Sequence, residues 1–113
     1  VTVGRGVSEI ISDLSENKEY NRAFLLHGLS VHLAEALAEY VTDRIRKELS
    51  LPAGIGKRYS PGYPLWRAIE DQQKIFRLLE AENRLGLRLT EAYQIVPEQS
   101  TTAIFVHDPN AEY

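Results

Sequence analysis

Val7, Ile10, Ile11 and Leu14 recur at i, i+3, i+4 and i+7, the apolar stripe of a short helix. The polar run Ser15-Glu16-Asn17-Lys18 interrupts the pattern as a connection. From about Tyr20 to Leu49 there is no Pro. Leu29, Leu33, Leu37, Val41, Ile45 and Leu49 return every fourth residue, flanked by Leu25, Leu26, Ala34 and Ala38. This spacing predicts one long helix, or two that break near Gly28-Leu29-Ser30, because Gly costs a helix interior about 1 kcal/mol. The stripe is expected to pack in the core. Asp43 and Lys47 are expected to pair at i, i+4 on the solvent side, worth roughly a few tenths of a kcal/mol. Pro52 ends the helix, since it disfavours α geometry at the residue before it.

Residues 52 to 64 are predicted to be loop, because Pro52, Gly54, Gly56, Pro61, Gly62 and Pro64 put six breakers into thirteen positions. A second helix is predicted from about Leu65 or Trp66 to Glu82, with Ile69, Phe76 and Leu79 on one side and Ile75 and Leu78 beside them. Glu70 and Asp71 lie near its start, where negative charge suits the helix dipole. Gly86 lies just past its end, and Asn83 is equally able to supply a left-handed cap. The period then changes. Ala92 to Val96 and Thr101 to Val106 are rich in β-branched and aromatic residues, and Pro97-Glu98-Gln99-Ser100 between them reads as the loop of a C-terminal hairpin. Val1-Thr2-Val3 reads as the tail of a strand. Helices first and antiparallel strands last indicate an α+β fold rather than a wound parallel sheet.

Composition narrows the function classes. A chain of 113 residues suits a single domain spanning 1–113. With 43% hydrophobic and 26% charged residues, it does not read as disordered. Thirteen basic against 16 acidic residues leave a net charge of −3, without the basic field that nucleic-acid binding needs. No apolar run approaches the roughly 18 residues of a membrane span, and no signal-like segment opens the chain. It reads as soluble, unexported and cytoplasmic. The absence of Cys excludes disulfides, thiolate zinc sites and a cysteine nucleophile. His27, His32 and His107 do not form a metal set, because His27 and His32 are five apart and a helical pair needs three or four. There is no Met, even at position 1, and the chain closes on Glu112-Tyr113 without a polar tail. Together these ends point to a fragment or minimal form of a longer protein.

The candidate chemistry concentrates in Gly56-Lys57-Arg58-Tyr59-Ser60-Pro61-Gly62-Tyr63-Pro64. Pro-Gly gives a tight turn of defined form. Arg58 supplies a planar fork of donors for a carboxylate, and Tyr59 and Tyr63 offer flat faces to a ring or a cation. Such a loop is either a small-molecule cradle or an ordinary connection with a solvated Arg. Glu35 and Glu39 share a helix face, as paired acids or as a solvated surface. No phosphate-loop, dinucleotide or serine-nucleophile signature is present, and no residue is assigned a catalytic role.

Arg58-Tyr59-Ser60-Pro61-Gly62-Tyr63-Pro64 resembles the R-x-x-P-G-Y-P signature of the activation domain of cobalamin-dependent methionine synthases. Gly86-Leu87-Arg88-Leu89-Thr90-Glu91 is similar to that family's G-x-x-L-T-E motif, and Pro97 and Ser100 to its P-x-x-S turn. Pro109-Asn110-Ala111-Glu112-Tyr113 resembles the P-x-x-x-Y segment that closes its ligand site. Leu33 to Tyr40, followed by Arg44-Ile45-Arg46, resembles its long helix. The resemblance covers roughly residues 20 to 113.

It implies long helices on a small, bent antiparallel sheet. It also implies a domain that binds S-adenosylmethionine and docks over a cobalamin-binding domain, with the cobalamin held by that partner. There the methyl group of S-adenosylmethionine and an electron from a flavodoxin-like or diflavin reductase return cob(II)alamin to methylcobalamin. Carried over residue by residue, Arg58 holds the ligand, Tyr59, Ser60, Pro61 and Gly62 shape its loop, and Tyr63 faces the corrin. Tyr113 closes the pocket, and Glu35 is a helix acid near the ligand. The domain is then part of a methyltransferase of methionine biosynthesis and not catalytic alone, since no cobalamin-ligating histidine motif is present. Two alternatives remain: a non-enzymatic module that docks on a corrinoid protein without S-adenosylmethionine, and a binder of another small carboxylate.

Overall fold

The computed structural model describes residues 1–112. Helix α1 spans Arg5–Glu16 and α2 spans Tyr20–Glu48. The two pack against each other across the short Asn17-to-Glu19 connection, where Glu19 N–H donates to the Leu14 carbonyl at 2.8 Å. Of the two readings of the long apolar stretch, the unbroken helix is realised, and Gly28 lies within α2.

The stripe on α2 is not the expected one. The buried residues are Ala23, Ser30, Ala34, Ala38 and Thr42, whereas Leu29, Leu33 and Leu49 are half or more exposed. A fourfold repeat advances about 40° per step on a 3.6-residue helix, so leucines every fourth residue wind around it. What buries instead is a line of small side chains. Asp43 pairs with Arg46, at 2.8 Å, rather than with Lys47.

Strand β1, Lys57–Tyr59, falls inside the predicted loop. The second long helix is shorter and broken. It begins as a 3-10 turn at Ile69–Asp71 and continues as α3, Gln72–Leu79. It stops at Glu80, which takes the left-handed conformation, and resumes as α4, Ala81–Leu85. Gly86 is the left-handed cap of α4, with φ 64°.

The α+β class holds, but the C-terminal strands do not pair with each other. Strand β3, Ile95–Val96, pairs antiparallel with β2, Arg88–Leu89. Strand β4, Ile104–Val106, pairs antiparallel with β1, in the register Lys57↔Val106, Arg58↔Phe105, Tyr59↔Ile104. Competing partners explain the change. Thr90 and Tyr93 close a local turn, with Thr90 N–H on the Gln94 carbonyl at 2.9 Å, so β3 zips to the nearer strand. Residues 99 to 101 are taken by the strand-like start of the chain. Val3 N–H donates to Gln99 O at 2.8 Å and Thr101 N–H to Val1 O at 3.0 Å.

Phe76, Ala81 and Leu87 form the buried cluster, with Leu89 and Ile95 packed on it. Polar bonds join the start of the chain to residues 99 and 100, and Thr102 to α3. Ser8 Oγ donates to Gln99 Oε1 at 2.9 Å, Ser100 Oγ to Thr2 Oγ1 at 2.7 Å, and Thr102 Oγ1 to Gln72 Oε1 at 2.5 Å. Among the described residues no buried side-chain polar atom lacks a partner. None of their helices is long and apolar enough to cross a membrane.

Candidate functional site

The dense loop is held to α2 by an arginine that sequence reasoning placed on the helix without a role. Arg46 Nε donates to the Ile55 carbonyl at 3.0 Å and its Nη2 to the Gly56 carbonyl at 3.0 Å, while the guanidinium lies 5.8 Å from the centre of the Phe105 ring. Charge-assisted bonds to two successive carbonyls fix the chain as it enters β1. Gly56 itself is buried with φ 80°, and a Cβ there would meet the Phe105 ring, 2.9 Å from Cε2. Glycine is the residue that satisfies both the positive φ and the close ring.

Arg58 follows on β1 and points back to α2. Its Nη2 donates to Glu35 Oε2 at 3.1 Å and to Glu39 Oε1 at 3.0 Å. The Arg58 side chain is only 17% exposed, while the two carboxylates are 49% and 59% exposed. Four residues apart on α2, the acids therefore meet one cation from the loop and are more than a solvated face.

Beyond β1 the chain closes on itself. Gly62 N–H donates to the Trp66 carbonyl at 2.8 Å and Trp66 N–H to the Tyr63 carbonyl at 2.9 Å, so residues 62 to 66 form a tight main-chain loop. This closure is why the helix does not start at Leu65 or Trp66. It also aims Trp66 at the site. The Trp66 indole Nε1 donates to Asp71 Oδ2 at 2.8 Å. Lys74 and this indole bond hold the Asp71 carboxyl below its ordinary range, and Asp71 in turn raises the Lys74 ammonium.

These elements enclose a cavity of about 410 Å³ lined by Glu35, Arg58, Tyr59, Ser60, Tyr63, Pro64, Leu65 and Trp66. Its size falls in the roughly 300–1,000 Å³ range of small-molecule sites. Three aromatic side chains, one guanidinium and one carboxylate converge there, a set suited to a ligand carrying a ring, a cation and a carboxylate.

Five of the eight residues singled out from the sequence, Glu35, Arg58, Tyr59, Ser60 and Tyr63, line it together. Pro61 and Gly62 line an adjoining cavity that shares Ser60 and Tyr63, where they shape the turn. Tyr113 lies outside the described residues, but the segment before it reaches the site. Asp108 Oδ1 accepts from Asn110 N–H at 2.8 Å, turning the chain, and the Tyr59 hydroxyl donates to the Glu112 carbonyl. Leu65 and Trp66 lay outside the loop singled out from the sequence, because their position at the cavity depends on the 62-to-66 closure. No three His, Cys, Asp or Glu side chains come together as a metal set among the described residues.

Residues 1–113 match the family described as vitamin B12 dependent methionine synthase, activation domain. The chain is 35% identical over 132 residues to a methionine synthase of Mycobacterium tuberculosis and 34% identical over 132 residues to that of Mycobacterium leprae. All of this chain is covered in both, but only 11% of either relative. A crystal structure of the MetH reactivation domain bound to AdoHcy superposes with a TM-score of 0.91 at 26% identity, covering 99% of this chain and 39% of that one.

Proposed function

The chain belongs to the vitamin B12 dependent methionine synthase activation-domain family, and from that premise we propose that it binds S-adenosylmethionine in the cavity beneath Arg58. The observation that carries this reading is the convergence of Glu35 from α2 with Arg58, Tyr59, Ser60 and Tyr63 from one loop on a single cavity. The bound AdoHcy of the structurally similar reactivation domain supports the same ligand class.

Each part of the ligand has a matching group. Its carboxylate suits the Arg58 fork, which has donors beyond the nitrogen held by Glu35 and Glu39. Its ammonium and sulfonium suit Glu35 and the faces of Tyr59, Tyr63 and Trp66. Apolar walls from Pro64 and Leu65 exclude water from the adenosyl portion.

The role of this chain is then to bind, orient and shield a methyl donor. The cobalamin belongs to a partner domain and supplies the metal-centred chemistry. The sulfonium's methyl group would pass to that cobalamin, with one electron from a flavodoxin-like or diflavin reductase, a reductive methylation that would leave S-adenosylhomocysteine on this chain. The chain works in the cytoplasm as one portion of a methyltransferase and is not catalytic alone.

Calorimetric titration of the chain with S-adenosylmethionine, beside Arg58→Ala, tests the reading. Saturable binding that weakens by about 1.5–3 kcal/mol in the variant is expected, the scale of a hydrogen bond to a charged group. Equal affinity in a folded Arg58→Ala protein would overturn it.

A further inference from the structure

Glu39 does not line the cavity, yet it shares Arg58 Nη2 with Glu35, at 3.0 Å against 3.1 Å. We propose that Glu39 is a specificity-determining residue: it makes the Arg58 cluster net anionic and so favours S-adenosylmethionine over S-adenosylhomocysteine. The inference rests on the ligand class proposed above.

The argument is one of charge. Arg58 and Glu35 alone form a neutral pair, which adds no net charge to the preference for a cation that Glu35 and the aromatic faces supply locally. Adding Glu39 places two carboxylates against one guanidinium, so these three side chains sum to one net negative charge beside the cavity. The Val1 ammonium lies with Arg58 on a separate cavity, where burial and the guanidinium make it hold its proton less tightly. S-adenosylmethionine carries a sulfonium and an ammonium against one carboxylate and is net positive. S-adenosylhomocysteine has lost the sulfonium charge and is net neutral. The two differ at the atom that gives up its methyl, so a net anionic wall retains the donor and releases the spent product.

Both carboxylates bond to Nη2, and among the described residues Nη1 and Nε of Arg58 make no hydrogen bond. The ligand carboxylate therefore has donors on Arg58 without displacing either acid, and the anionic cluster survives binding. Glu39 is 59% exposed, so solvent screens its field and the effect is modest.

The experiment measures dissociation constants for S-adenosylmethionine and S-adenosylhomocysteine on the full chain, on Glu39→Gln and on Glu39→Asp, at low and high salt. The ratio of the two constants is the readout, because a general loss of fit cancels in it. The native chain is expected to prefer S-adenosylmethionine, and salt to erode that preference. Glu39→Gln should reduce the preference by about two- to five-fold, the range of an exposed charge pair. Glu39→Asp, which keeps the charge, should retain it. A ratio unchanged in Glu39→Gln, with both ligands weakened by the same factor, would show that Glu39 only holds Arg58 in place and would overturn the inference. So would equal loss of preference in Glu39→Asp. If the native chain binds neither ligand, the ligand assignment itself falls, an outcome distinct from a native chain that binds both without preference.

Discussion

The cavity beneath Arg58 and the cluster around Phe76 are built on different physics. Around the cavity, position is set by charge-assisted bonds: Arg46 on two carbonyls, Arg58 on two carboxylates, Asp71 on the Trp66 indole. Around Phe76, position is set by apolar burial, with Phe76, Ala81 and Leu87 each at most 6% exposed. Directional bonds to half-exposed partners contribute little net stability but define geometry, whereas burial contributes stability with little directional demand. The contrast teaches that the proposed ligand site and the stability of the fold rest largely on separate residues.

The largest test of that separation is Phe76→Ala. Losing a buried phenyl group from a small cluster should destabilise the chain by about 3–5 kcal/mol in urea denaturation. Ligand affinity of the remaining folded protein should hardly change. A large affinity loss at modest destabilisation would show that the two regions are coupled.

Gly56→Ala probes the boundary between them. A Cβ at φ 80° against the Phe105 ring should cost about 2–3 kcal/mol of stability. Because Gly56 precedes Arg58 by two residues, ligand affinity should fall as well, and this double effect distinguishes it from Phe76→Ala. Arg58→Ala is the opposite case. Its ion pairs are made with half-exposed acids, so stability should change by no more than about 1 kcal/mol while ligand binding weakens by about 1.5–3 kcal/mol.

The smallest effect concerns acid. Lys74 and the Trp66 indole lower the Asp71 pKa from its ordinary 3.8, so the stabilisation from Asp71 is present above that value and is lost as pH falls through the lower, folded-state value. Trp66 is the one tryptophan in the chain, so tryptophan fluorescence reports on the surroundings of this indole, and Asp71→Asn isolates the part due to the bond. Emission should shift as pH drops below 3.8 and stay flat over the same range in Asp71→Asn. An equal shift in both proteins would separate Asp71 from the indole's position.

Much of this was legible in local pattern. The 3.6-residue spacing from Val7 to Leu14 and the Pro-free stretch after Tyr20 marked α1 and α2, and the breakers between Pro52 and Pro64 marked the irregular segment. Arg58, Tyr59 and Tyr63 stood out because their chemistry is dense over a few residues. Trp66 did not, since its role depends on the 62-to-66 main-chain closure and on Asp71. Arg46 escaped for a similar reason: its partners are carbonyls about ten residues away, which leave no trace in residue type.

The extents of α1 and α2, the α+β class and the identity of the polar loop follow from the order of residues, because they depend on neighbours a few positions apart. Strand partners, the buried face of α2 and the pairing of one guanidinium with two helix acids belong to the folded chain. Each is a competition between groups distant in sequence. Residues 99 to 101 go to the strand-like start of the chain, β4 goes to β1, and the small side chains of α2 bury ahead of its leucines. Such competitions are settled by which surfaces meet in three dimensions, and local periodicity carries no record of them.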